Sequence, residues 1–175
     1  MVSTDKKAYV VLLEDEMRVG EVLRDLIESM KSNPGSCPEN LELVHLRTSK
    51  EFADWLSSAA HRDQVSFFVI DKNIDIDSPE GKLVRTENGL VAFEAARNDH
   101  GGYLKQVDYA IFSSDPSLTP FIIADQLDDD ADRVKLIPKL IFKESPDRAH
   151  RQLLSVMLSS PLFIERVKTI AASND

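Results

Sequence analysis

The chain has 175 residues, a net charge of -9 and no segment dense in Lys or Arg, with 42% hydrophobic and 29% charged residues. That balance suits one globular domain with a sizeable core and argues against nucleic acid or an anionic membrane as partner. The single Cys37 excludes an internal disulfide and a cysteine-based zinc site, no apolar stretch approaches the roughly 20 residues of a membrane span, and the polar Met1–Lys7 does not read as a signal peptide; the expectation is a cytoplasmic protein.

Hydrophobic periodicity alternates strand and helix along the chain. Ala8 to Leu13 reads as a strand, and Val19, Val22, Leu23, Leu26, Ile27 and Met30 recur at helical spacing after it. Pro and Gly between Lys31 and Asn40 end that helix. Leu41 to Leu46 reads as a second strand, followed by a helix with Ser49 as N-cap and Phe52, Trp55, Leu56 and Ala59 on its apolar face. Val65 to Ile70 is the third and most hydrophobic strand. Asp71 to Glu87 is polar and reads as a long loop, after which Asn88-Gly89 opens a short helix. Val107 to Phe112 is a fourth strand, Thr119 to Leu127 a helix, and Asp128-Asp129-Asp130 a solvated acidic loop. Leu136 to Phe142 reads as the fifth strand, with Pro138 placing it at an edge. Pro146 starts a helix that buries Leu153, Leu154, Val156, Met157 and Leu158, and Leu162, Ile164, Val167 and Ile170 extend the helical pattern beyond Pro161.

Three of these apolar runs end in polar residues suited to one site. Tyr9–Leu13 delivers Glu14, Asp15 and Glu16, Phe67–Ile70 delivers Asp71, and Leu140–Phe142 delivers Lys143. Continuous apolar runs mark strands buried on both faces of a parallel sheet, and ligands collect at the carboxyl ends of such strands. Carboxylates and one ammonium at that edge could hold a divalent cation and a phosphoryl group. For His45, His61, His100 and His150 there is no metal-ligand spacing.

Leu13-Glu14-Asp15-Glu16, Ile70-Asp71-Lys72-Asn73, Asn88-Gly89-Leu90, Phe112-Ser113-Ser114-Asp115 and Phe142-Lys143 together resemble the signature of response-regulator receiver domains, in that family's order and over roughly residues 8 to 160. The resemblance implies a flavodoxin-like, doubly wound α/β fold: a five-stranded parallel sheet of order 2-1-3-4-5 with helices on both faces. The chain, 1–175, is read as one receiver-like domain with a core over about 8–160, to which an extended loop at 72–88 and a helical extension at 161–173 are added. The resemblance implies Asp71 as phosphoacceptor, Mg2+ held by Glu14, Asp15, Asp71 and the backbone carbonyl of Asn73, and Ser113 and Lys143 contacting the phosphoryl oxygens. A histidine kinase or phosphotransfer protein would be the donor, and an unknown protein target the output. The chemistry is consistent with this: a carboxylate nucleophile meets an already anionic phosphoryl group, so catalysis rests on positioning and charge neutralisation.

The chain departs from the family in length, chiefly between Asp71 and Gly89, where Asp75, Asp77 and Glu80 fall. Glu144 follows Lys143 where proline is usual, and Leu140 stands where an aromatic is frequent, three residues before the lysine. Two other functions fit the same residues. One is a receiver-like scaffold that works without phosphorylation. The other is a Toprim-type Mg2+-dependent enzyme built on Glu14 with Asp75 and Asp77.

Overall fold

The apolar runs form the middle of a five-stranded sheet in which every neighbouring pair is parallel. The structure, a computed structural model, describes residues 6–32 and 39–173; Cys37 and much of the Lys31–Asn40 connection lie outside them. Strands β1 (Ala8–Leu13), β2 (Leu41–Leu46), β3 (Val65–Asp71), β6 (Tyr109–Ser113) and β7 (Lys135–Pro138) line up in the order β2-β1-β3-β6-β7. Counting these strands alone, the order is 2-1-3-4-5.

Side-chain alternation divides the core in two, as period-two geometry requires. Val10, Leu12, Phe67, Val69 and Phe112 face helices α1 (Met17–Lys31), α8 (Pro146–Leu158) and α9 (Pro161–Ala172). Val11, Leu13, Phe68, Ile70 and Ile111 face α2 (Ser49–Leu56), α4 (Gly89–His100) and α6 (Pro120–Leu127). All seven residues of β3 are buried, and fully burying each Phe, Val or Ile side chain contributes roughly 1.5–3 kcal/mol. Two one-turn helices, α3 (Ala59–Arg62) and α5 (Gly102–Lys105), complete the connections into β3 and β6. No helix among the described residues is long and apolar enough to cross a membrane.

Several elements differ from the sequence reading. The N-cap of α2 is Thr48, not Ser49: its hydroxyl accepts from the Glu51 amide at 3.1 Å, while the Ser49 amide donates to Glu87 at 2.9 Å. The 72–88 segment is not an irregular loop but an antiparallel hairpin of β4 (Asn73–Asp77) and β5 (Leu83–Asn88). It turns through Gly81, whose φ of +76° suits glycine. Ile74 is buried against the α2/α4 core and Ile76 packs beside it, whereas Leu83 and Val84 on the outer strand are each 61% exposed.

The acidic run after α6 is not simply solvated. Asp129 accepts from the buried Arg97 at 2.9 Å, from Tyr109 at 3.0 Å and from Arg133 at 3.0 Å. Arg133 also pairs with Asp108 at 3.2 Å, and Asp108 accepts from Ser160, the N-cap of α9. Burial works against ionisation of Asp129, but the Asp130 amide, Arg133, Tyr109 and Arg97 outweigh it and hold the carboxyl below its ordinary value. This network ties α4, β6 and α9 together at the amino end of the sheet, away from the strand ends that carry the acids.

The fifth strand is shorter than the apolar pattern predicts. It ends at Pro138, and Leu140-Ile141-Phe142 turns into the one-turn helix α7 (Ile141–Glu144). The Pro138 nitrogen faces the open edge of the sheet, where proline is tolerated, and Ile141 and Phe142 are buried by packing against the α1/α8 face rather than by strand pairing.

Candidate functional site

At the carboxyl end of β1 the chain places Glu14, fully buried, and Asp15 beside it. Glu14 Oε1 accepts from the Glu16 amide at 2.9 Å and from Lys139 Nζ at 3.0 Å. Neighbouring strand β2 steadies the main chain here, with His45 Nε2 2.7 Å from the Glu14 carbonyl and Arg47 donating to the Asp15 carbonyl at 3.0 Å. His45 occupies the space left by Gly20, where a Cβ would run into its ring.

Asp71, the last residue of β3, is 1% exposed. Its Oδ2 lies 2.5 Å from Lys139 Nζ and its Oδ1 accepts from the Asn73 amide at 3.3 Å. The two ends of the hairpin close directly beside it: the Gly89 amide donates to the Lys72 carbonyl at 2.7 Å, and a Cβ on Gly89 would collide with the Asp71 carbonyl oxygen. Glycine at 89 is therefore a matter of close approach. Asn88 caps α4 through its side chain, which accepts from the Leu90 and Val91 amides.

Lys139, not Lys143, is the lysine that reaches the acids. Its backbone amide donates to the Ser113 carbonyl at 3.0 Å, continuing the register of β7 one residue past Pro138. From there Nζ meets Asp71, Glu14 and, at 3.3 Å, Glu16. Lys143 sits on α7, a helical turn further on; its side chain is 63% exposed, and it approaches Glu16 at 3.8 Å on the rim. The structure thus brings Lys139, and not the expected Lys143, to the acids, because the chain becomes helical where the apolar run suggested more strand. Ile137-Pro138-Lys139 carried the signal: an apolar strand residue, an edge-strand proline, then a cation. Leu140 rather than Glu144 then follows the site lysine, and the position three before it is Leu136, again aliphatic.

One oxygen each from Glu14, Asp15 and Asp71 lie within 4.8 Å of one another. Glu14 Oε2 and Asp15 Oδ1 are buried without a hydrogen-bond partner among the described residues. Buried polar atoms without partners are costly, and hard divalent cations such as Mg2+ take carboxylate oxygens, so this donor set fits such an ion. Burial, with the charge of Asp71 added, pushes the Glu14 carboxyl up to about 8 against the opposing pull of Lys139. Burial also pushes Asp71 up to about 6, with Lys139 and the Asn73 amide limiting the rise. For Lys139, burial works against the charge, but Glu14 and Asp71 outweigh it and hold the ammonium above its ordinary value.

Ser113 ends β6 almost buried, and its Oγ accepts from the Asp115 amide at 3.0 Å. Asp115 pairs with Lys72 at 2.6 Å, bridging the turns after β3 and β6; the Lys72 and Ser117 hydrogen bonds hold its carboxyl well below the usual range. A cavity of about 230 Å3 opens over Asp71, lined by Glu16, Asn73, Asp75, Ser114, Lys139 and Lys143 among others. Next to it, Leu118, Leu136, Pro138 and Leu140 line an apolar groove of about 450 Å3. The carboxylates that gather with Glu14 are Asp15 and Asp71; Asp75 and Asp77 lie along β4.

The sheet order and its flanking helices give the chain the fold of response-regulator receiver domains. The chain aligns with the phosphorylated cyanobacterial phytochrome response regulator RcpA at a TM-score of 0.58 and 12% identity, over 86% of this chain and 91% of that one. It aligns with a CheY-like response regulator receiver domain protein from Methanospirillum hungatei JF-1 at a TM-score of 0.53 and 12% identity, over 94% and 99%. No protein-family model and no curated protein matches the sequence.

Proposed function

We propose that the protein is a receiver-type phosphoacceptor, taking a phosphoryl group on Asp71 from a phosphohistidine of a histidine kinase or phosphotransfer protein. The observation that carries this is the convergence of Glu14, Asp15, Asp71 and Lys139 at one sheet edge, two of their carboxylate oxygens buried and unpartnered among the described residues. An Asp71 oxygen attacks phosphorus while the bond to the donor nitrogen breaks, giving an acyl phosphate. Lys139, already within 2.5 Å of Asp71, follows the charge onto the new phosphoryl oxygens. Ser113, whose Oγ accepts from the Asp115 amide, donates its hydroxyl proton to a phosphoryl oxygen. Glu14, Asp15, Asp71 and the Asn73 carbonyl would hold Mg2+, which when bound neutralises charge between the acceptor and the phosphoryl group. The transfer is self-catalysed, in the cytoplasm, and output runs through a protein target that distinguishes the state carrying about 1.5 to 2 extra negative charges.

Incubation with acetyl phosphate and Mg2+, read by intact mass, tests the reading. A phosphate-sized increase is expected, absent in Asp71→Asn and strongly reduced in Lys139→Met. No increase in the wild type, with partner binding unchanged in Asp71→Asn, would refute it and favour a phosphorylation-independent scaffold.

A further inference from the structure

We propose that Asp75, carried by the inserted hairpin, is the general base that hydrolyses the acyl phosphate on Asp71, so that the hairpin equips this chain with its own reset. The inference rests on the phosphoacceptor reading. The cavity over Asp71 is where a phosphoryl group on that residue would stand, and Asp75 lines the same cavity. Asp71 is buried at its floor, whereas Asp75 is exposed at its mouth. Displacement at phosphorus is in line, so with the leaving oxygen at the floor, the attacking water enters from the mouth.

Asp75 is free for that task in a way its neighbours are not. The other carboxylate in the cavity wall, Glu16, is engaged by Lys139 at 3.3 Å and approached by Lys143 at 3.8 Å. Asn73 is an amide and cannot take a proton. Asp75 forms no ion pair among the described residues. Its Oδ1 accepts from Thr86 Oγ1 at 2.7 Å, across the strand pair in which Asp75 stands opposite Thr86. One oxygen is thus fastened, and the other is left to accept. In the step, the water oxygen bonds to phosphorus, the bond from phosphorus to the Asp71 oxygen breaks, and Asp75 takes the water proton. Inorganic phosphate leaves, Asp71 regains its carboxylate beside Lys139, and Asp75 returns the proton to solvent.

The test phosphorylates the full chain with acetyl phosphate and Mg2+, removes the donor and follows loss of the phosphoryl mass with time. Asp75→Asn is expected to take up the group as the wild type does and to hold it about 100-fold longer or more. Thr86→Val, which unfastens the carboxylate without removing it, should lengthen the lifetime several-fold. The slowing of hydrolysis in D2O, a sign of a proton in flight, should diminish in Asp75→Asn. A variant D75N that takes up the group and loses it at the wild-type rate overturns this inference and leaves the phosphoacceptor reading standing. A D75N that no longer takes up the group also overturns it, since Asp75 would then act in acceptance. No uptake by the wild type overturns both readings.

Discussion

Replacing Lys139 by Met separates the two lysines of the site by stability alone. Lys139 is 13% exposed and pairs with Asp71 and Glu14, whose side chains are 1% and 0% exposed. Breaking a buried pair costs about 3–5 kcal/mol because a charge is left uncompensated. Here the low end is expected, about 3 kcal/mol near neutral pH, because Glu14, pushed up to about 8, keeps a proton readily. For a chain of this size each kcal/mol moves Tm by roughly 2–4 °C, so a drop of about 6–12 °C follows. Lys143→Met removes a contact of 3.8 Å from an exposed side chain and should cost less than about 0.5 kcal/mol. The pH dependence has a definite sign. A carboxyl whose folded-state value lies above its unfolded value holds its proton more tightly when folded. Its stabilisation is complete below the unfolded value of 4.5 and is lost as pH rises through about 8. Without Lys139 the charge that lowers Glu14 and Asp71 is gone, so the loss becomes steeper, up to about 1.4 kcal/mol per pH unit for each proton. Thermal unfolding followed by circular dichroism from pH 5.5 to 8.5 reads all of this. Equal losses in K139M and K143M, or a K139M deficit that shrinks as pH rises, would refute the reasoning.

Mg2+ should raise the wild-type Tm more at pH 8 than at pH 5.5, because Glu14 and Asp71 must give up protons to bind it; titrating Mg2+ in thermal scans at the two values checks this. Gly89→Ala should cost more than about 3 kcal/mol, from the collision with the Asp71 carbonyl, while Gly81→Ala, strained in φ but in open space, should cost only about 1 kcal/mol; denaturant midpoints compare them. Arg97→Met, which strips a buried cation from Asp129, should destabilise by about 3 kcal/mol in the same assay.

Burial on both faces made the central strands legible: β1, Phe67–Ile70 of β3 and Tyr109–Phe112 of β6 are apolar without interruption, so their ends, and with them Glu14, Asp15, Asp71 and Ser113, could be read from sequence. Lys139 was hidden because an apolar run of three has no period. Leu140–Phe142 suits a helical turn as well as a strand, and nothing in its pattern separates the two. The hairpin was hidden for the opposite reason. Asn73-Ile74-Asp75-Ile76-Asp77 alternates as a half-buried strand should, but its polar residues outnumber the two isoleucines that fix it, and its partner strand faces solvent. Asp129 was unreadable as a buried hub because its partners Arg97, Tyr109 and Arg133 converge only in three dimensions.

The hairpin leaves the sheet at Lys72 and gives way to helix α4 at Gly89, and the Gly89 amide donates to the Lys72 carbonyl. Whatever lies between is a detour whose length the parallel sheet does not register. Excising the ribbon and joining its stumps with a tight turn should leave the strand order intact. The phosphoacceptor edge can therefore gain or shed chemical equipment by insertion and deletion at one spot, while the framework that aims its acids and lysine stays as it was.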